Sequence, residues 1–488
     1  MALDQACFAD QTERYDISGI ARIFHSLKYG KDVFCCHVLS DHQETSYEDG
    51  NQNLVGAKQI KFLINQNSKV CACEIGQVLD GSIMNVDMNG WKWILGPMVL
   101  VISPICAQSG SKIVLGPIEG ELAKKQIALD LDGTQKSLVS LASRAINAHG
   151  ALRLSPAKSS RFGISLVAQG NKEVQLSISS GNPRKIIKKF SQDGTSGRDA
   201  VFKALDKMVF EITGKASFFN GRLAYLSSLS GQKEIFLSDA LMSSASPQTS
   251  FGKITFNPSW DNSGQGIFFT SNRKIFNNIY HLNLTTRKIQ TIANYRGSNL
   301  RALQNPRTSQ VALILSASGN PEVWLSESML SKPRKVTNNR SNESGPCWSP
   351  DGRRLIVTSD SRGRPQLYEV SLSTGRLTRI PTNISSHCTE ASWNPKDPTR
   401  IAFTAAVGGG FQVCEYSFAE RKTKILSKGT RDGMQPNWAS DGRHLYYTER
   451  SSSGATRIVL LDTEFEEAKP IPLHDSSFGN CSQLNFYY

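Results

Sequence analysis

The sequence predicts a mainly β fold, a six-bladed β-propeller preceded by a small α/β domain. Three observations carry this. A Pro-x-Trp motif recurs down the second half, clearest in Pro346-Cys347-Trp348-Ser349-Pro350-Asp351-Gly352. Its other copies are Pro258-Ser259-Trp260, Ala391-Ser392-Trp393 and Pro436-Asn437-Trp438. Trp348, Trp393 and Trp438 stand 45 residues apart, and Trp260 lies 88 before Trp348, twice 44. That stride belongs to a propeller blade. Between the tryptophans, short apolar runs alternate with turn residues, four runs to a repeat. Ahead of them, residues 108–215 do not repeat and mix strand-like with helix-like spacing.

Within the clearest blade, 344–388, strands are expected at 345–349, 355–359, 367–372 and 377–380. Turns fall at Asp351-Gly352, 361–365 and Thr374-Gly375, where Gly accepts positive φ. The other blades are 218–255, 256–300, 301–343, 389–433 and 434–488. The third lacks the Trp, with 303–306 in its place. The first starts late and the last overshoots by 483–488, so the C-terminal strand is expected to complete the first blade and close the ring. The tryptophans are then packing between blades. The propeller is assigned to 216–488.

In the preceding domain, strands are expected at 112–115, 126–131, 162–168 and 174–178. Helices are expected at 137–147, with Gly150 as its cap, and at 197–213, with Gly214 at its end. The run Asp130-Leu131-Asp132-Gly133 reads as a surface turn rather than a calcium loop, and 185–189 as a solvated strand edge.

The chain has 488 residues and a net charge of +14. Residues 1–107 hold 8 Lys/Arg and 12 Asp/Glu, so the basic excess lies in the rest, 48 against 30. Such a surface favours acidic partners, or merely keeps the protein soluble. Of the 10 cysteines, Cys347, Cys388, Cys414 and Cys481 fall at different points of the repeat. Buried free thiols are therefore expected, not a disulfide framework.

Residues 88–107 carry a short head with Lys92, an apolar run over 94–105 and a small-residue exit, the parts of a secretory signal peptide. Residues 1–87 then read as an over-extended gene start, with translation from Met88 or Met84. The other reading is a buried element of a true N-terminal domain. With the signal real, the mature chain is exported as a soluble protein.

No Gly-x-Ser-x-Gly, P-loop or His-Glu-x-x-His occurs, which argues against the common hydrolase and nucleotide chemistries. No cofactor or metal is expected.

The segment 334–342, with Pro346-x-Trp348, Thr358-Ser359-Asp360 and Gly363-Arg364-Pro365-Gln366-Leu367-Tyr368, resembles the TolB family. So does the junction 199–215 followed by Arg222-Leu223-Ala224-Tyr225. The resemblance covers about 108–488. It implies a non-catalytic periplasmic component of the Tol-Pal envelope system, reaching membranes only through partners and without nucleic acid. Its partners would be a peptidoglycan-associated lipoprotein at the propeller mouth and an inner-membrane Tol protein at the mature N-terminus. The loops leading into the inner strands open at one face of the channel. They carry the candidate partner-binding residues Arg296, Ser298, Asn299, Asn342, Glu343, Ser344, His387, Glu390, Arg431 and Asp432. Alternatives are a carbohydrate-acting propeller, with Glu343, Glu390 and Asp432 as carboxylates, and a peptidoglycan-binding one.

Overall fold

The structure, a computed structural model, describes residues 125–488 and, ahead of them, seven short strands between residues 11 and 95. Met84–Met88 and Trp91–Leu95 pair as a hairpin at the head of the signal-like segment. The rest of that segment and the strand expected at 112–115 lie outside the described residues.

Residues 127–193 form a five-stranded sheet in the order Lys185–Asp193, Glu173–Ser180, Phe162–Gln169, Ile127–Gly133, Leu152–Leu154. Ile127–Gly133 runs parallel to both neighbours, and the remaining pairs are antiparallel. Helices Lys136–Ala148 and Gly197–Thr213 pack with it through one core cluster. The second helix ends as expected. Ser196 accepts the Asp199 N–H at its start, and Gly214 takes φ 73° at its close.

The first helix ends differently. His149, in extended conformation, is its C-cap. Gly150 is glycine for another reason: a Cβ there would meet Asp462 Oδ2 at 2.1 Å. The segment 130–133 is also not a turn but part of the strand Ile127–Gly133, where Asp130 pairs with Arg184. The strand Leu152–Leu154 has no counterpart among the sequence expectations, because three residues are too few to show alternation.

Six four-stranded antiparallel sheets follow. In five of them the strands are consecutive. In the first, Cys481–Tyr487 pairs with Arg222–Ser227, so the last strand of the chain is the innermost of blade one. This pairing leaves blade one without an open inner edge. Inner strands Thr255–Trp260, Asn299–Gln304, Glu343–Trp348, Cys388–Trp393, Asp432–Trp438 and Cys481–Tyr487 each meet the next around the ring.

The tryptophans seal the seams between blades. Trp348 packs on Ala312, Ile314 and Val323 of blade three and on Leu355 and Val357 of its own blade. Trp393, Trp438 and Trp260 repeat the arrangement one blade on or back. All four are buried, at 5–6% exposure. Burying each large aromatic stabilises the ring by roughly 2–3 kcal/mol. Cys347, Cys388, Cys414 and Cys481 are free and buried.

Candidate functional site: the propeller mouth

Register decides which loops share an end. Each inner strand begins opposite the end of the second strand of its sheet: Thr255 faces Ser271, Asn299 faces Leu315 and Glu343 faces Ser359. Cys388 faces Ala405, Asp432 faces Arg450 and Cys481 faces Ser227. The loops before the inner strands and the hairpin turns after the second strands therefore make one mouth. The Asp351-Gly352 and Asp441-Gly442 turns leave the inner strands at the other end. The α/β domain packs on that other end, where His149 meets His444 with ring centroids 4.6 Å apart.

Most sequence-selected residues reach the mouth surface. Arg296, Asn342, Ser344 and Arg431 are exposed, and Ser298, His387, Glu390 and Asp432 are partly so. Asn342 donates from its backbone and side-chain N–H groups to Asp360, both at 2.8 Å. The Ser298 N–H donates to Ser316 Oγ at 2.7 Å. His387 packs its ring edge on Phe411, with centroids 5.6 Å apart. Asp432 accepts two bonds from Arg450, at 2.6 and 3.0 Å, and the Phe411 N–H at 2.7 Å. Arg431 lies 3.9 Å from Glu449.

Asn299 and Glu343 turn inward and are not surface contacts. Asn299 is 1% exposed. It donates to the carbonyls of Tyr295 and Asn277 and accepts the Tyr295 N–H, clamping its own loop. Glu343 is fully buried and accepts from Ser359, Thr337 and Asn339. Burial, then the adjacent Glu322, pushes it up to about 7. Polar residues in loops read as surface, but each of these satisfies buried backbone or hydroxyl groups, and that selects polarity inside as well.

Two features of the mouth lie beyond the sequence expectations. The first is a collar of hydrogen bonds just inside it. Five of the six inner strands carry a register shift at the same depth, and in each it holds a left-handed residue: Asn257, Gly345, Glu390, Gln435 and Gln483. The side chains of Asn257, Glu390, Gln435 and Gln483 pass from blade to blade. Glu390 accepts the Gln435 N–H at 3.0 Å, Gln435 the Gln483 N–H at 3.0 Å, and Gln483 the Asn257 N–H at 2.7 Å. Asn257 donates to the Leu300 carbonyl at 2.9 Å, and the Glu390 N–H reaches Thr358. Arg301 stands at the seam without such a link. Its Nε is buried with no partner, and burial lowers its pKa. The signal for the collar was a residue three places before each Trp, but the residue types differ.

The second feature is the rim. Lys274, Arg296, Arg340, Arg362, Arg364 and Arg431 are all exposed on mouth loops or turns. Among them Ile275 and Phe276 are 84% and 70% exposed, with Ile275 held at φ 84°. A β-branched residue in that region is strained. The mouth is therefore basic with an apolar knuckle, suited to an acidic surface with an apolar centre.

The chain is thus a closed propeller with a small α/β domain on one end and a basic mouth at the other. The chain belongs to the TolB beta propeller domain family, whose model matches residues 209–482. A protein TolB homolog from Chlorobium luteolum is 28% identical over 166 residues, 34% of this chain and 37% of that protein. The Tol-Pal system protein TolB of Bordetella pertussis is 26% identical over 181 residues, 36% of this chain and 41% of that protein. The matched part thus spans about two fifths of these relatives. The crystal structure of TolB from Acinetobacter baumannii superposes with a TM-score of 0.65 at 17% identity, over 75% of this chain and 97% of that one. This is a likeness of fold. Among the described residues no helix is long and apolar enough to cross a membrane.

Proposed function

We propose that the chain is a non-catalytic, periplasmic component of the Tol-Pal envelope system. It binds a peptidoglycan-associated lipoprotein at the propeller mouth and an inner-membrane Tol protein through its N-terminal part. In this role it supports outer-membrane integrity and invagination at division. The observation that carries the reading is the basic rim around Ile275 and Phe276, which calls for an acidic protein surface. The carboxylates that a carbohydrate-acting site would use are engaged instead. Glu343 is buried, Asp432 is paired with Arg450, and Glu390 serves the collar. Glycoside chemistry needs two free carboxyl groups flanking the bond.

The test is a pull-down from envelope extract with the full chain, compared with the Arg296→Glu, Phe276→Asp double variant. Recovery of a peptidoglycan-associated lipoprotein by the parent, reduced at least tenfold in the variant at unchanged Tm, is expected. No lipoprotein with the parent, or equal recovery with the variant, overturns the reading.

A further inference from the structure

At the opposite end of the ring, three donor atoms from separate elements converge where the α/β domain meets blade six. His149 follows helix Lys136–Ala148, His444 opens the strand His444–Arg450, and Asp462 ends the strand Thr456–Asp462. A ligating atom of each lies within 4.8 Å of the others, and all three side chains are buried. His149 Nε2 has no hydrogen-bond partner, and His444 Nε2 meets only Asp462, at 3.4 Å and outside hydrogen-bond geometry. Unpaired polar atoms this deep are costly unless a further group sits between them.

We propose that His149, His444 and Asp462 bind one divalent transition-metal cation of the zinc class. Two imidazoles and a carboxylate, with a fourth position left to water, are a set that zinc accepts. The second shell is in place. Asp441 Oδ2 lies 2.6 Å from His444 Nδ1, so the proton sits there and the lone pair of Nε2 faces the cluster. Asp462 Oδ1 accepts the N–H groups of Glu464 and Phe465 at 2.9 and 3.0 Å, and Arg443 Nε donates to Oδ2 at 2.7 Å. The carboxylate is thereby fixed in plane.

Asp462 and Glu464 pair with Arg443, and Lys215 reaches Glu464 at 3.7 Å, so these carboxylates are held in place around the cluster. A cleft of about 320 Å³ lined by His149, Asp441, Arg443, Asn394 and Lys396 leads to the cluster, giving the ion a route and the fourth ligand a source.

Binding tightens the site. Tetrahedral zinc sets its ligands about 3.4 Å apart, so the widest pair closes by up to ~1.4 Å. The 3.3 Å bond from the Ala151 N–H to His149 Nδ1 gives way, because metal on Nε2 places the proton on Nδ1. Gly150 permits the approach, since it presents no Cβ to Asp462.

The test uses the full chain, stripped with chelator and titrated with zinc chloride. One zinc per chain by calorimetry and by elemental mass spectrometry is expected, with a raised Tm. His149→Gln and His444→Gln each remove a ligand and should weaken binding by more than the roughly 10–100-fold that loss of an outer-shell partner costs, while His474→Gln leaves it unchanged. Should a cluster variant fail to fold, cobalt(II) on the parent chain decides, with intense four-coordinate d–d bands supporting the site. No stoichiometric zinc on the parent, equal affinity in both cluster variants, or a purely octahedral cobalt spectrum overturns the proposal.

Discussion

Glu343 lies at the mouth by sequence position and in the interior by geometry, and its carboxyl group pays for this in pH dependence. Burial and Glu322 push it up to about 7. Burial works to raise Glu322 as well, but bonds with Glu343, Thr337 and the Asn339 N–H, with Lys335 beside it, hold it below the usual range. An unfolded Glu titrates near ~4.3. Between that value and about 7 the folded chain keeps a proton at Glu343 that the unfolded chain has lost. Stability from this group is full below the lower value and falls as pH rises through 7. Glu343→Gln holds the neutral hydrogen-bonding shape at every pH. Its Tm is expected to match the parent near pH 4.5 and to exceed it by a few degrees at pH 8, on the order of 1 kcal/mol. A gap that stays constant across that range in parallel thermal melts would refute the account of a proton retained at Glu343.

The element with the most consequences is the terminal strand Cys481–Tyr487. It pairs along Arg222–Ser227, and Gln483 carries the collar from blade six to blade two. Asn485 receives the Trp260 backbone and indole N–H groups at 2.8 and 3.0 Å, and the Tyr488 hydroxyl reaches Asp206 of helix Gly197–Thr213 at 3.1 Å. Ending the chain after Asn480 removes an inner strand and leaves these donors unpaired. The expected result is loss of cooperative melting, or a Tm lower by more than ~10 °C, since several buried bonds at about 1–3 kcal/mol each are broken together. Scanning calorimetry that returned the parental transition would contradict this.

The single change Gln483→Ala isolates the collar. It exposes the Asn257 N–H to a gap and should cost about 1–2 kcal/mol in chemical unfolding. A cost near zero would make the collar incidental. The terminal strand was legible in the sequence because the first repeat starts late and the last overshoots. The blade seams were legible because Trp recurs at a fixed stride. The collar was not, because Asn257, Glu390, Gln435 and Gln483 share a backbone conformation and no residue type. Hydrophobic periodicity reports which side chains are buried and carries no record of φ. Asn299 and Glu343 were misplaced for a related reason: a polar residue before a strand looks the same whether it faces water or clamps its loop.

For the whole molecule, the question is what makes the α/β domain and the ring one body. The apolar part is a single cluster running from Leu129 and Ile146 through Phe218 and Phe219 to Tyr446 and Leu460. It could slide without a polar lock, because apolar contact is not directional. Arg198 pairs with Asp239 and the Tyr488 hydroxyl reaches Asp206, each tying one helix residue to one blade, and Arg144 adds a tie that spans two blades at once. From helix Lys136–Ala148 its Nη2 donates to the carbonyls of Leu241 in blade one and Leu473 in blade six, both at 2.6 Å. These blades flank the seam that the terminal strand closes, so one guanidinium ties the helix to both sides of the junction. Bonds from a charged donor are worth about 1.5–3 kcal/mol. Arg144→Ala should therefore destabilise the chain by about 2–3 kcal/mol, and it should separate the melting of the two parts as well as lowering Tm. Cleavage by a dilute protease at the junction 214–221 should then quicken in the variant while the propeller fragment survives. Arg144→Lys, which reaches with one ammonium but lacks the planar fork, should fall between the two. If the variant melts in one step at the parental Tm and resists cleavage equally, the apolar cluster with the Arg198–Asp239 and Tyr488–Asp206 ties fixes the arrangement. The mouth and the α/β domain would then be coupled through those contacts and not through Arg144.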